Sequence, residues 1–140
     1  MDMSAINWFA IIAATLLGFP IGYLWYGPLF GKPWMESVGL SVEKIEKESN
    51  MAKIFGVAVV FHFIMAFCLA MFFYGDPAAA DQINGASGAF YGFLTGFGWV
   101  TMAIGTNAMF EQRSFKYVAI VGSYWIVVFT LMGLVLGMWK

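Results

Sequence analysis

Four stretches of this chain, about 6–26, 52–74, 86–110 and 115–139, carry no Asp, Glu, Lys or Arg well inside them. Each approaches or exceeds the roughly 20 apolar residues that a helix needs to cross a bilayer. In hydrocarbon every backbone N–H and C=O must find a partner within the chain, so only helices or a closed barrel can span it. A barrel needs alternating segments and many more of them. The pattern therefore predicts an all-α, polytopic membrane protein. Its expected form is a four-transmembrane-helix bundle spanning residues 1–140 as one membrane domain, with a short cytoplasmic surface helix in the loop 27–51.

Composition points the same way. Charged residues make up 11% of the chain and hydrophobic ones 61%, whereas soluble domains average about 25% charged. So little charge cannot cover a water-facing surface. A net charge of −1 without a basic patch gives no reason to expect nucleic acid. Cys68 is the only cysteine, which excludes an intrachain disulfide and a cysteine-only zinc site. The start, Met1-Asp2-Met3-Ser4, has no positive n-region, so the first apolar run reads as a retained span.

Lys and Arg in short loops set orientation. Lys32, Lys44, Lys47, Lys53, Arg113 and Lys116, six of the seven, fall in or beside loops 27–51 and 111–116. Those loops are expected in the cytoplasm, with both termini outside an inner-membrane, multi-pass protein.

The run Gly22 to Met35 marks the first boundary between hydrocarbon and water. Trp25, Tyr26 and Trp34 suit it, because an amphipathic ring buries its body and hydrates its polar atom. Lys32 can snorkel there. Gly27-Pro28 is expected to stop the helix. The run reads either as an anchor and turn or as a binding loop. Beyond it, Ser41 can cap a surface helix supported by Glu43–Lys47 and Lys44–Glu48 at i,i+4 spacing. Pro20 interrupts the first span and leaves the Leu16 carbonyl without its helical donor. Such breaks are ordinary kinks or pointers to transport sites.

Glycines recur four apart: Gly18 and Gly22, then Gly88, Gly92 and Gly96, then Gly133 and Gly137. Small residues at this spacing let helices approach closely. They predict helix packing, including self-association into a homo-oligomer or docking into a larger membrane complex. Gly18–Trp25 and Gly92–Trp99 agree at four of eight positions, a faint sign of a duplicated hairpin.

Asn7-Trp8, the run Trp25-Tyr26-Gly27-Pro28-Leu29-Phe30-Gly31-Lys32-x-Trp34-Met35, and Phe110-Glu111-x-Arg113-Ser114 resemble a bacterial family known as the domain of unknown function 1761 family. The resemblance covers essentially the whole chain. It implies a small four-helix membrane protein and brings no activity.

Chemistry-bearing residues are few. His62, the only histidine, reads as a neutral ring bonded to a neighbouring helix. Met65 and Cys68 follow at steps of three, but each step turns the helix by about 60°, so His62 and Cys68 diverge and no metal site is expected. An intramembrane ionisable group marks transport, and only His62 qualifies. Nucleophilic catalysis is poorly supported, since Ser123 and Tyr124 have no acid beside them and one possible base. Glu111 and Arg113 read as a surface pair. No catalytic residue, metal or cofactor is expected, and the chain leans away from being an enzyme. Two readings remain. One is a non-enzymatic interaction or accessory protein that self-associates through its glycine faces. The other is a binder or carrier of a small neutral or lipid-like molecule in a Trp-lined cavity, with Pro20, Trp25, Tyr26, Lys32, Trp34, His62, Trp99, Asn107 and Trp125 as candidate contacts.

Overall fold

A computed structural model describes residues 6–140; the first residues, including Met1–Ser4, lie outside the described part. Every regular element among the described residues is helical. Helix α1 covers Trp8–Leu24, and the Asn7 side chain caps it by accepting from the N–H groups of Phe9 and Ala10. The chain does not stop at Gly27-Pro28, as the sequence reading expects. It widens instead into a π-helical turn, Trp25–Leu29. Pro28 has no N–H to donate, and just beyond it Phe30 N–H reaches five residues back to Trp25 O at 2.8 Å. Helical character ends at Phe30, whose φ is −127°.

The loop region holds two short helices, α2 (Gly31–Val38) and α3 (Val42–Glu48). Gly39 ends α2 with a φ of +70°, the left-handed conformation that favours glycine. Ser41 caps α3 by accepting from Lys44 N–H, and Lys47 pairs with Glu43 at 2.6 Å. Asn50 then caps α4 (Met51–Tyr74), so α3 and α4 are separate helices. A single turn, α5 (Pro77–Ala80), follows, capped by Asp76. Helix α6 (Gly85–Leu94) passes through a second π-helical stretch, Thr95–Thr101, into α7 (Met102–Phe110). Helix α8 covers Phe115–Met138.

Three helices, Trp8–Leu29, Met51–Tyr74 and Phe115–Met138, are long and apolar enough to cross a membrane. The fourth expected span is helical from Gly85 to Phe110, but its glycines dilute its apolar character and its backbone widens in the middle. In cross-section α4 lies against α1, α1 against α8, and α8 against α6, the π stretch and α7. The core sits where α1, α4 and α8 meet: Ile11, Ala14, Ala66, Val128, Met132 and Leu136 are almost wholly buried. The Asn7 side chain donates to the carbonyls of Trp139 and Lys140, and Lys140 Nζ donates to Ala80 O. At the other end Lys116 pairs with Glu36 at 3.2 Å, tying α8 to α2.

The closest packing is between α6 and α8. A Cβ on Gly88 would strike the Gly133 carbonyl, one on Gly133 the Gly88 carbonyl, and one on Gly92 the Phe129 carbonyl. Gly137 abuts Asn84 O in the same way, and Gly96 lies against Trp125 and Ile126 backbone. Backbone meets backbone along this seam, and the gain is dispersion contact. Thr101 locks its lower end: its hydroxyl lies 2.7 Å from Gly96 O and 3.1 Å from Gly122 O.

Candidate functional site

Two places gather the residues that carry chemistry. The first is a buried clasp joining α1, α4 and α8. Small residues on α1 leave a trough, and the His62 ring occupies the space that a Cβ on Gly18 would need. Tyr124 fills the neighbouring space above Gly22, its hydroxyl 3.5 Å from where a Cβ would stand. A buried tyrosine hydroxyl needs a partner, and Tyr124 donates to Gly18 O at 2.9 Å. His62, 7% exposed, places Nε2 3.3 Å from the same hydroxyl. Its Nδ1 lies 2.8 Å from Ala58 O, one turn back on α4.

Aromatic rings surround this clasp. Phe19 and Trp125 have ring centroids 5.2 and 5.3 Å from that of His62. A column of rings then leads toward the loop end, with Tyr124 against Tyr26 at 5.2 Å and Tyr26 against Trp34 at 4.9 Å. Trp25 stands beside it, donating its indole N–H to Ile120 O at 3.0 Å. The structure thus brings Trp25, Tyr26, Trp34, His62 and Trp125 together, with Gly18 and Gly22 making room for them.

The second place is a groove of about 850 Å³ between the end of α4, the α5 turn and α6 with its π stretch. Leu69, Phe72 and Phe73 form one wall; Tyr91, Leu94 and Trp99 form the other. Asp76, Gln82 and Ser87 stand at one end. One Asp76 carboxylate oxygen accepts from Ala78 N–H at 3.0 Å. Trp99 is 68% exposed and meets Phe72 edge-on at 6.2 Å.

The expected single Trp-lined cavity is therefore divided. Trp99 lines the groove, while Trp25 and Trp125 belong to the clasp and do not line it. Pro20, Lys32 and Asn107 are exposed and join neither place. Cys68 is exposed while His62 is buried, and no group of three or more His, Cys, Asp or Glu among the described residues could hold a metal ion. Tyr124 is the central residue of the clasp, yet its sequence position marks it only as a polar-tipped ring inside an apolar helix. That signal calls for a buried partner without naming it. Nothing in the sequence pattern singles out Phe72, Asp76, Gln82 or Tyr91.

The family described as "Protein of unknown function (DUF1761)" matches residues 9–137. The chain belongs to this family. The match takes in both the clasp and the groove, so DUF1761 membership extends over every element that builds them. Comparison with curated proteins and with solved structures finds no match to this DUF1761 chain.

Proposed function

We propose that this DUF1761 protein crosses the inner membrane four times and binds or carries a neutral, lipid-like amphiphile in the groove between α4 and α6. The groove carries this reading. Its volume of about 850 Å³ falls within the roughly 300–1,000 Å³ of ligand sites. Its lining is graded, with apolar and aromatic walls leading to Asp76, Gln82 and Ser87 at one end. An amphiphile fits that gradient, with its chain against Phe72, Leu94 and Trp99 and hydroxyl or amide donors near Asp76.

The fourth crossing is the stretch from Gly85 to Phe110, seated on α8 along its glycines. Loops 27–51 and 111–116 are placed in the cytoplasm by their Lys and Arg. Both termini and the α5 turn then face outward, in keeping with the contacts of Asn7 and Lys140 at that end. Self-association through the glycine faces has weaker support, because Gly88, Gly92, Gly133 and Gly137 are already buried against each other's helices. No side chain in the groove pairs a nucleophile with a base, so binding rather than catalysis is favoured.

Native mass spectrometry of protein released gently from its own membrane tests the reading. The protein should carry an added mass of lipid size, and Trp99→Ala should shed it while remaining folded. A bare protein, or a Trp99→Ala variant that keeps the same mass, removes the groove as the site.

A further inference from the structure

We propose, resting on the groove reading above, that the occupant of the groove is a zwitterionic bilayer phospholipid whose headgroup ends in a primary ammonium, held by the Asp76 carboxylate. Such a lipid has no net charge, so it remains a neutral amphiphile. Among the described residues that line the groove, Asp76 is the one that carries a formal charge, and no Lys, Arg or His joins it. The chain from Gly75 to Gly85 holds a second acid, Asp81, and no basic residue. Lys140 reaches the α5 turn, but its Nζ donates to Ala80 O at 2.9 Å, outside the lining. The polar end of the groove therefore attracts a cation and repels an anion.

Hydrogen-bonding capacity points the same way. One Asp76 oxygen accepts from Ala78 N–H at 3.0 Å; the other is left for a donor from outside the chain. The side-chain donors beside it are already used. The Ser87 hydroxyl donates to Asn84 O at 3.2 Å, and Gln82 Nε2 donates to Ala78 O at 3.5 Å. A primary ammonium brings three N–H groups and no lone pair. Its bond to a carboxylate is roughly twice as strong as that of a neutral donor, so an ammonium serves this end better than a hydroxyl or amide.

Below the mouth the polarity of the lining reverses. Tyr91 follows Ser87 by one turn of α6, about 6 Å along the helix, and brings a phenol O–H. Trp99, farther along the same wall, brings an indole N–H. Both side chains are exposed to the groove, and both can donate. Phosphate and ester oxygens accept only. The groove thus offers an acceptor at its end, then donors, with Phe72, Leu94 and Leu69 forming the apolar walls. A phospholipid with an amino headgroup presents the complementary order: ammonium, phosphate, ester, acyl chain. The Phe73 and Tyr91 rings, with centroids 6.3 Å apart, add faces that attract a cation.

Full-length protein in nanodiscs holding equal amounts of phosphatidylethanolamine, phosphatidylcholine and phosphatidylglycerol, all with the same acyl chains, tests this. The protein is released in the mass spectrometer and the retained lipid is identified by its mass. Phosphatidylethanolamine should exceed each of the others about three- to fivefold, the upper range for an exposed ion pair. Asp76→Asn keeps a side-chain oxygen to cap α5 and removes the charge. It should still retain lipid, with the preference levelled. The ways of failing are distinct. A bare protein removes the groove reading and this proposal together. Lipid retained without preference, or with a preference that Asp76→Asn leaves intact, lets the groove stand and overturns the ammonium site. Phosphatidylcholine retained as well as phosphatidylethanolamine would assign the charge to the ring faces and overturn the bond to Asp76.

Discussion

The α6–α8 seam and the α4 flank are both helix contacts, yet they are made in opposite ways. In the seam, glycines bring two backbones together so closely that a single added carbon has nowhere to go. On the flank, α4 rests on α1 and reaches α8 at few points. Large side chains and the His62–Tyr124–Gly18 bonds bridge it there, and between α4 and α6 the groove stays open. The seam is a scaffold in which any change of shape is felt at once. The flank is a joint whose polar contacts and spare volume leave room for binding. The two candidate sites, clasp and groove, both lie along this looser boundary.

The seam should be the more sensitive of the two regions to substitution. Gly92→Val should cost about 3 kcal/mol or more, because the new carbons meet Phe129 backbone rather than a flexible chain end. Loss of a cooperative thermal transition in detergent would show it; near-normal melting would mean that the seam is not close-packed. At the clasp, Tyr124→Phe should lower stability by about 1 kcal/mol through the lost bond to Gly18 O, read from the same melting curve. On the outer face of α4, a Cβ on Gly56 meets nothing within 4 Å. Gly56→Ala should therefore raise stability by roughly 0.5–1 kcal/mol through reduced backbone entropy. A drop in the melting temperature there would erase the contrast between the two regions. The smallest effect belongs to the groove wall: Trp99→Ala, at an exposed position, should change stability by less than about 0.5 kcal/mol.

Much of the fold was legible because hydropathy and capping act locally. The helical runs, the Ser41 cap and the Glu43–Lys47 pair follow from neighbours within one turn. The π turns were not legible. Gly27-Pro28 reads as a stop, but a missing N–H can also be accommodated by a wider turn, and Phe30 N–H reaching Trp25 O decides for that. Glycine spacing announces a close helix contact without saying which helix meets which, and here the rows of α6 and α8 meet within one chain. At the site, His62 stood out as the lone ionisable group of the apolar runs. Its bond to Tyr124 joins residues 62 positions apart, beyond any local pattern. The groove is less legible still, since it arises from how far α4 stands from α6 and not from the character of either helix.

The most direct test places a photo-crosslinking phenylalanine analogue in place of Phe72, in the groove wall, and irradiates intact membranes. A covalent adduct of lipid-like mass on the single chain is expected, identified by mass spectrometry of the purified protein. An adduct to a second copy of the chain, or to another protein, would make the groove a protein interface and contradict it.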